Sequence, residues 1–174
     1  SSAAFVLAAS FITGLDLTVP SLPCSQDSCQ GDSAFAGFMK QLAEPCPHEF
    51  DLSDCPDLIS PLVAAALFSG HPTAIRGVAH ARIKESDRIS VLCTELAKTG
   101  AKLTEYPDGI LVNPFGSIPQ GQFDLDPHND HRMSMAYGVL SLKVPGIRPT
   151  NLDCVSKSFP SFWKTLETIR QHIR

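Results

Sequence analysis

The sequence is short of charge. Of its 174 residues only 18% are Asp, Glu, Lys or Arg, below the quarter or so usual in soluble domains. Its 14 Lys and Arg are outnumbered by 18 acids, for a net charge of -4. That excludes a general attraction to nucleic acid or to an anionic membrane surface, so any anion site has to be local. Long apolar runs are also missing. Even a run such as residues 62–68, which no other exceeds, falls far short of the roughly 18 residues a membrane span needs. The six cysteines include no CxxC pair. Cys24, Cys29, Cys46 and His48 match no standard zinc spacing, so the expectation is free thiols in a reducing cytoplasm and no metal. The opening "SSAAFVLAASFITG" has no initiator Met and no basic stretch ahead of it. It is therefore not read as a signal peptide. It reads as the inside of a helix, in a fragment of a longer protein.

What is present is a loose repeat. "SSAAFVLAASFITGLDLTVPSL", "SPLVAAALFSGHPTAIRGVAH" and "HRMSMAYGVLSLKVPGIRPTNL" share one layout. Each has an Ala-, Leu- or Met-rich run, then a Gly- or Pro-containing break, then a short β-branched run, which reads as helix, turn, strand. A polar link and a second helix follow each strand. In the middle unit that helix places Ile89, Leu92, Cys93, Leu96 and Ala97 on one face, with Gly100 as a C-terminal stop. The last helix is expected to carry Ser158 as N-cap and Pro160 in its first turn. Its apolar positions are Phe162, Leu166, Ile169 and Ile173. "AKLTEYPDGILVNP" predicts a hairpin over residues 102–106 and 110–112, turning at Pro107-Asp108-Gly109. The Pro-rich counterpart in the first unit is too short for a full hairpin. The fold class is α/β, with three units at about 1–50, 51–125 and 126–174 stacked into one domain.

The scarce charges are concentrated. "RIKESDRI", residues 82–89, holds five of them. Lys84, Glu85 and Arg88 stand where the second helix of the middle unit begins, and Lys157 at the matching point of the third. Asp130, His131 and Arg132 precede the first helix of the third unit, and Asp57 that of the second. Helix N-termini carry unpaired N–H groups and partial positive charge. Lys and Arg beside them add full charge and bidentate donors. Packed about a common axis, these helix starts form a site for a ligand with several negative charges, flanked by Asp57 and Glu85 as proton-transfer groups. Helical phase turns Arg82 and Asp87 away, toward structural pairing. His48, His71, His128 and His172 belong to no constellation.

"RIKESDRI", "NDHRMSM" and "CVSKSFPSF", together with "QGD", "CPD" and "AAALFSG", resemble the signatures of the 5-enolpyruvylshikimate-3-phosphate (EPSP) synthase family, in the family's order and over nearly the whole chain. The resemblance implies one lobe of the enolpyruvyl transferase fold, an inverse α/β barrel of βαβαββ units with helices in the core. It implies enolpyruvyl transfer from phosphoenolpyruvate to the 5-hydroxyl of shikimate 3-phosphate, by addition and then elimination of phosphate, with no metal or organic cofactor. It assigns Asp57 to the shikimate hydroxyls and to proton acceptance. It gives Lys84 to shikimate 3-phosphate, Glu85 to protonation of the methylene carbon, and Arg88, Arg132 and Lys157 to phosphoenolpyruvate. Asp130 and His131 are supporting groups. His80 departs from the family pattern, which often has Asn there. The family's other lobe supplies a Lys-Ser motif, a Ser-Ser-Gln stretch and a Gly-rich loop, none of which occurs here in that context. The expectation is half an active site whose partner is that missing lobe. The readings set against it are a UDP-sugar enolpyruvyl transferase, whose motifs differ, and a non-catalytic anion-binding module on the same fold.

Overall fold

The computed structural model describes residues 2–17 and 26–173. In chain order these form α1 (Ser2–Thr13), α2 (Gln26–Leu42), β1 (His48–Asp51), α3 (Ile59–Ala66), β2 (Thr73–Arg76), α4 (Arg88–Ala97), β3 (Lys102–Tyr106), β4 (Gly109–Asn113), β5 (Phe123–Leu125), α5 (His131–Leu140), β6 (Ile147–Pro149) and α6 (Phe162–Ile173), with short 3-10 turns at Pro56–Leu58, Ala79–Ile83 and Asp153–Val155. Among the described residues no helix is long and apolar enough to cross a membrane.

The first helix of each repeat forms the core. α1, α3 and α5 pack against one another. Every residue of α3 is buried, as is α5 from Met133 onward. A helix that is apolar on all sides has no face to give to water, and the Ala-rich sequences of α1 and α3 let neighbouring helices approach closely. The second helices lie further out. α6 turns Phe162, Leu166 and Ile169 inward and leaves Ile173 exposed.

Around this core β1, β2, β4 and β3 make one sheet, in that order. β1 runs parallel to β2, and the β2–β4 and β3–β4 pairs are antiparallel. From His48 to Asn113 the chain thus runs β1-α3-β2-α4-β3-β4, a complete βαβαββ unit. β5 and β6 pair in parallel around α5. The hairpin forms as expected from the Pro-Asp turn.

Gly109 shows why a glycine opens β4. A Cβ there would strike the backbone carbonyl of Ile75 on the neighbouring strand, with the Ile75 carbonyl carbon at 3.0 Å and Arg76 Cα at 3.2 Å. Backbone in the middle of a sheet cannot swing aside as a flexible side chain does. Gly109→Ala is therefore expected to lower the unfolding free energy by upwards of about 2 kcal/mol, read as a drop in urea midpoint at unchanged m-value.

Three local expectations are corrected. α6 starts at Phe162, after Pro160, and Ser158 does not cap it; its hydroxyl donates to the Val155 carbonyl inside the preceding turn. Lys157 consequently lies in that turn and not at a helix start. On α4, Ala97 is exposed, while Arg88, Val91 and Glu95 join the buried face. The strand expected around Val19, together with Cys24, lies outside the described residues.

Candidate active site

Three chain segments meet at the starts of α3, α4 and α5. Each start has a local cause. The 3-10 turn Pro56–Leu58 runs directly into α3 and carries Asp57. Asp87 caps α4 by accepting the Ser90 N–H at 3.1 Å, which leaves Lys84, Glu85 and Ser86 in the bend that precedes the helix. Asp130 caps α5 by accepting the Arg132 N–H at 2.9 Å, which sets His131 and Arg132 in the first turn.

Arg88 ties the three together. Its side chain is 1% exposed. Nε donates to Asp130 Oδ2 at 2.8 Å, Nη1 to Asp57 Oδ1 at 2.7 Å and Nη2 to Glu85 Oε2 at 2.6 Å. Asp130 is fully buried and also accepts from Ser86 Oγ at 3.0 Å. Arg132 Nη2 lies 3.3 Å from Asp57 Oδ2, and Lys84 Nζ lies 3.6 Å from Asp57 Oδ1. His131 Nδ1 stands 4.0 Å from Glu85 Oε1. Three cations and three carboxylates are interleaved, and their charges cancel. A buried guanidinium is tolerated only when paired in this way.

The cations are not equivalent. Arg88 spends both faces of its fork on carboxylates, so an anion would reach it only by displacing Glu85 or Asp57. Arg132 and Lys84 make only long contacts, all with Asp57: Arg132 Nη1 also reaches the Asp57 carbonyl at 3.5 Å, and no other acid pairs with either among the described residues. They are the groups this structure offers to an incoming anion. Lys157 and His80 are exposed and make no ion pair with the cluster among the described residues. Arg82 pairs with Asp87 and Glu105 and donates to the carbonyls of Tyr106 and Pro107, which is the structural role expected for it. Two residues went unremarked in the sequence, Ser86 and Glu95. Glu95 had a signal: seven residues after Arg88, it falls on the same helical face among apolar side chains.

Two titrations follow from this packing. Burial alone would raise the Asp57 carboxyl, but Arg132, Arg88 and Lys84 outweigh it and hold the group below the usual carboxylate range. Burial, then the adjacent Arg132, holds the His131 imidazole below its usual 6.5. For each group the unfolded chain binds its proton first as pH falls. The stability each contributes is complete above its unfolded value and is lost as pH falls through the folded one. For His131 that loss begins at 6.5, for Asp57 at 3.8. His131→Asn should therefore flatten the decline of urea midpoint between about pH 7 and pH 5, and an unchanged slope would show that His131 carries none of it.

The sequence profile described as EPSP synthase (3-phosphoshikimate 1-carboxyvinyltransferase) matches residues 40–166. The chain belongs to the EPSP synthase family. Among curated relatives, the 3-phosphoshikimate 1-carboxyvinyltransferase of Syntrophobacter fumaroxidans is 37% identical, covering 98% of this chain and 43% of its own length. That of Nostoc punctiforme is 33% identical over 94% of this chain and 41% of its own. That of Methanoculleus marisnigri reaches 42% over 68% of the chain and 27% of its own. The chain thus spans less than half the length of these EPSP synthases. The crystal structure of EPSP synthase from Acinetobacter baumannii superposes with a TM-score of 0.58 at 26% identity, covering 80% of this chain and 28% of that one. Asp57, Lys84, Glu85, Arg88, Asp130, His131 and Arg132 all lie inside the matched region, as does Lys157.

Proposed function

We propose that this chain supplies one half of an active site that transfers the enolpyruvyl group of phosphoenolpyruvate to the 5-hydroxyl of shikimate 3-phosphate, releasing phosphate. The observation that carries the reading is the interleaved cluster at the starts of α3, α4 and α5, built from the family's own motifs. Both substrates are polyanions, and joining them in a water-poor cleft costs Coulomb energy that fixed cations offset. Arg132 and Lys84 provide open charge. Arg88 holds the acids in place and becomes a ligand when phosphoenolpyruvate displaces a carboxylate. Lys157 joins when the second substrate brings its turn inward.

The chemistry needs two proton movements. In the addition, the 5-oxygen bonds to C2 of phosphoenolpyruvate, its proton passes toward Asp57 with Lys84 as relay, and Glu85 protonates C3. In the elimination, the C2–phosphate bond breaks and C3 returns the proton. Asp57 and Glu85 share Arg88 and flank the open cations, which suits this division of roles. The complementary lobe supplies the remaining phosphate contacts. The free thiols of Cys46, Cys55, Cys93 and Cys154 suit a cytoplasmic setting.

Calorimetric titration of the 174-residue chain with phosphoenolpyruvate and with shikimate 3-phosphate tests this. Binding of either is expected to be weak, turnover by the chain alone negligible, and turnover restored by adding an N-terminal lobe from a relative. Turnover with a UDP-sugar acceptor, or no turnover with any complementary lobe, would sink the proposal.

A further inference from the structure

We infer that Glu95 is a positioning residue: from the inner face of α4 it pins the loop at residues 126–130, so that Asp130 meets Arg88 and α5 starts with Arg132 facing the cluster. Its relevance to catalysis rests on the function proposed above, but its geometry does not.

Glu95 is 4% exposed. An acid in that position needs a strong reason to stay, because an unpaired buried carboxylate is heavily penalised. Its Oε2 accepts the backbone N–H of Asp126 at 2.8 Å and takes Lys98 Nζ at 2.5 Å, while Oε1 lies 3.6 Å from His128 Nε2. The contact with Asp126 leaves the helix altogether and grips the first residue of the loop.

The loop that begins there is an improbable one. His128 and Asn129 are consecutive left-handed residues, with φ of 51° and 59°, and neither is glycine. Such a conformation persists where the surroundings over-determine it. The holds are visible. Asp126 Oδ1 accepts the His128 N–H at 2.7 Å, Asn129 Oδ1 accepts from Asn151 Nδ2 at 2.6 Å, and the Asp130 N–H donates to the Pro127 carbonyl at 2.9 Å. Glu95 anchors one end of this run, and Arg88 receives the other at Asp130. Both grips come from the same face of α4, so that helix sets the distance between α5's cap and the cluster.

The test is hydrogen exchange in the 174-residue chain, which needs no substrate. In Glu95→Ala, exchange of the Arg88 Nε–H and the Asp130 amide is expected to accelerate tenfold or more. The Val78 and Phe115 amides, bonded to the Asp108 and Leu67 carbonyls, should stay as in the parent. Glu95→Gln keeps an oxygen for the Asp126 N–H and is expected to remain within about threefold of the parent at every site. Equal acceleration at all four sites in Glu95→Ala would reduce Glu95 to a contributor to global stability and overturn the inference. So would no acceleration anywhere, or a Glu95→Gln chain that behaves like Glu95→Ala. Should Glu95→Ala fail to fold, Glu95→Asp serves in its place, since its shorter carboxylate falls short of the Asp126 N–H. None of these outcomes depends on whether the substrate titrations succeed, so a failed reaction and a failed pin are told apart.

Discussion

Replacing Arg88 with Met is expected to remove about 3–5 kcal/mol of unfolding free energy, the largest single-site loss in this chain. Among the described residues the Arg88 guanidinium is the cation that bonds fully buried Asp130 directly, and it also holds half-buried Asp57 and exposed Glu85. Without it Asp130 retains only the Ser86 hydroxyl and the Arg132 N–H as donors, neither of which carries a formal charge. A domain of this size has roughly 5–15 kcal/mol to lose, so the variant should sit close to the edge of folding. Urea unfolding checks it, through a fall in midpoint at constant m-value. The mechanism makes a further demand. If the loss arises from a stranded buried charge, Arg88→Met combined with Asp130→Asn should be more stable than Arg88→Met alone, because the second change removes that charge and leaves the cap oxygen in place. A double variant no better than the single would mean that the packing of the long Arg88 side chain, and not its charge, is what matters. A loss below about 1 kcal/mol would contradict both accounts.

How much of this was legible beforehand depended on how local each cause is. The inner helices could be read from composition, because a run such as "LVAAALF" has no polar face to offer water. The hairpin was set by two turn residues. The convergence of Asp57, Lys84, Glu85, Arg88, Asp130 and Arg132 followed from placing each at a helix start in a repeat. What the sequence could not show is partnership. Nothing in "RIKESDRI" says that Arg88 turns inward and is saturated by three carboxylates while Arg132 makes only long contacts with Asp57. That division depends on long-range contacts spanning 31 and 42 residues. Lys157 falls short of a helix start because Pro160 precedes α6 and does not belong to its first turn. Glu95 is hidden from a sequence reading because one acid on an apolar face looks like a break in the pattern, and its reason lies 31 residues away at Asp126. The left-handed pair at His128 and Asn129 has no glycine to announce it.

In the enzyme assembled with its complementary lobe, Asp57→Asn is expected to lower kcat by about 100- to 10,000-fold while leaving KM for phosphoenolpyruvate unchanged or reduced. The two halves of that expectation have separate causes. The fall in kcat follows from losing an ionised acceptor, which the adjacent cations keep charged at neutral pH. The behaviour of KM follows from charge balance. Asp57 is the carboxylate that Arg132 and Lys84 face; neutralising it leaves their positive charge less compensated and more available to a phosphate or carboxylate. Arg132→Ala should do the reverse, raising KM with a smaller effect on kcat, because it removes an open donor and leaves the acids anchored on Arg88. The crossed pattern is diagnostic. A residue that only binds substrate weakens KM when lost, and a residue that only supports the fold lowers activity and midpoint together. If Asp57→Asn raised KM more than it lowered kcat, Asp57 would be a substrate-binding group and the proton would have to pass to another group, with Lys84, whose Nζ lies 3.6 Å from Asp57 Oδ1, the first to test.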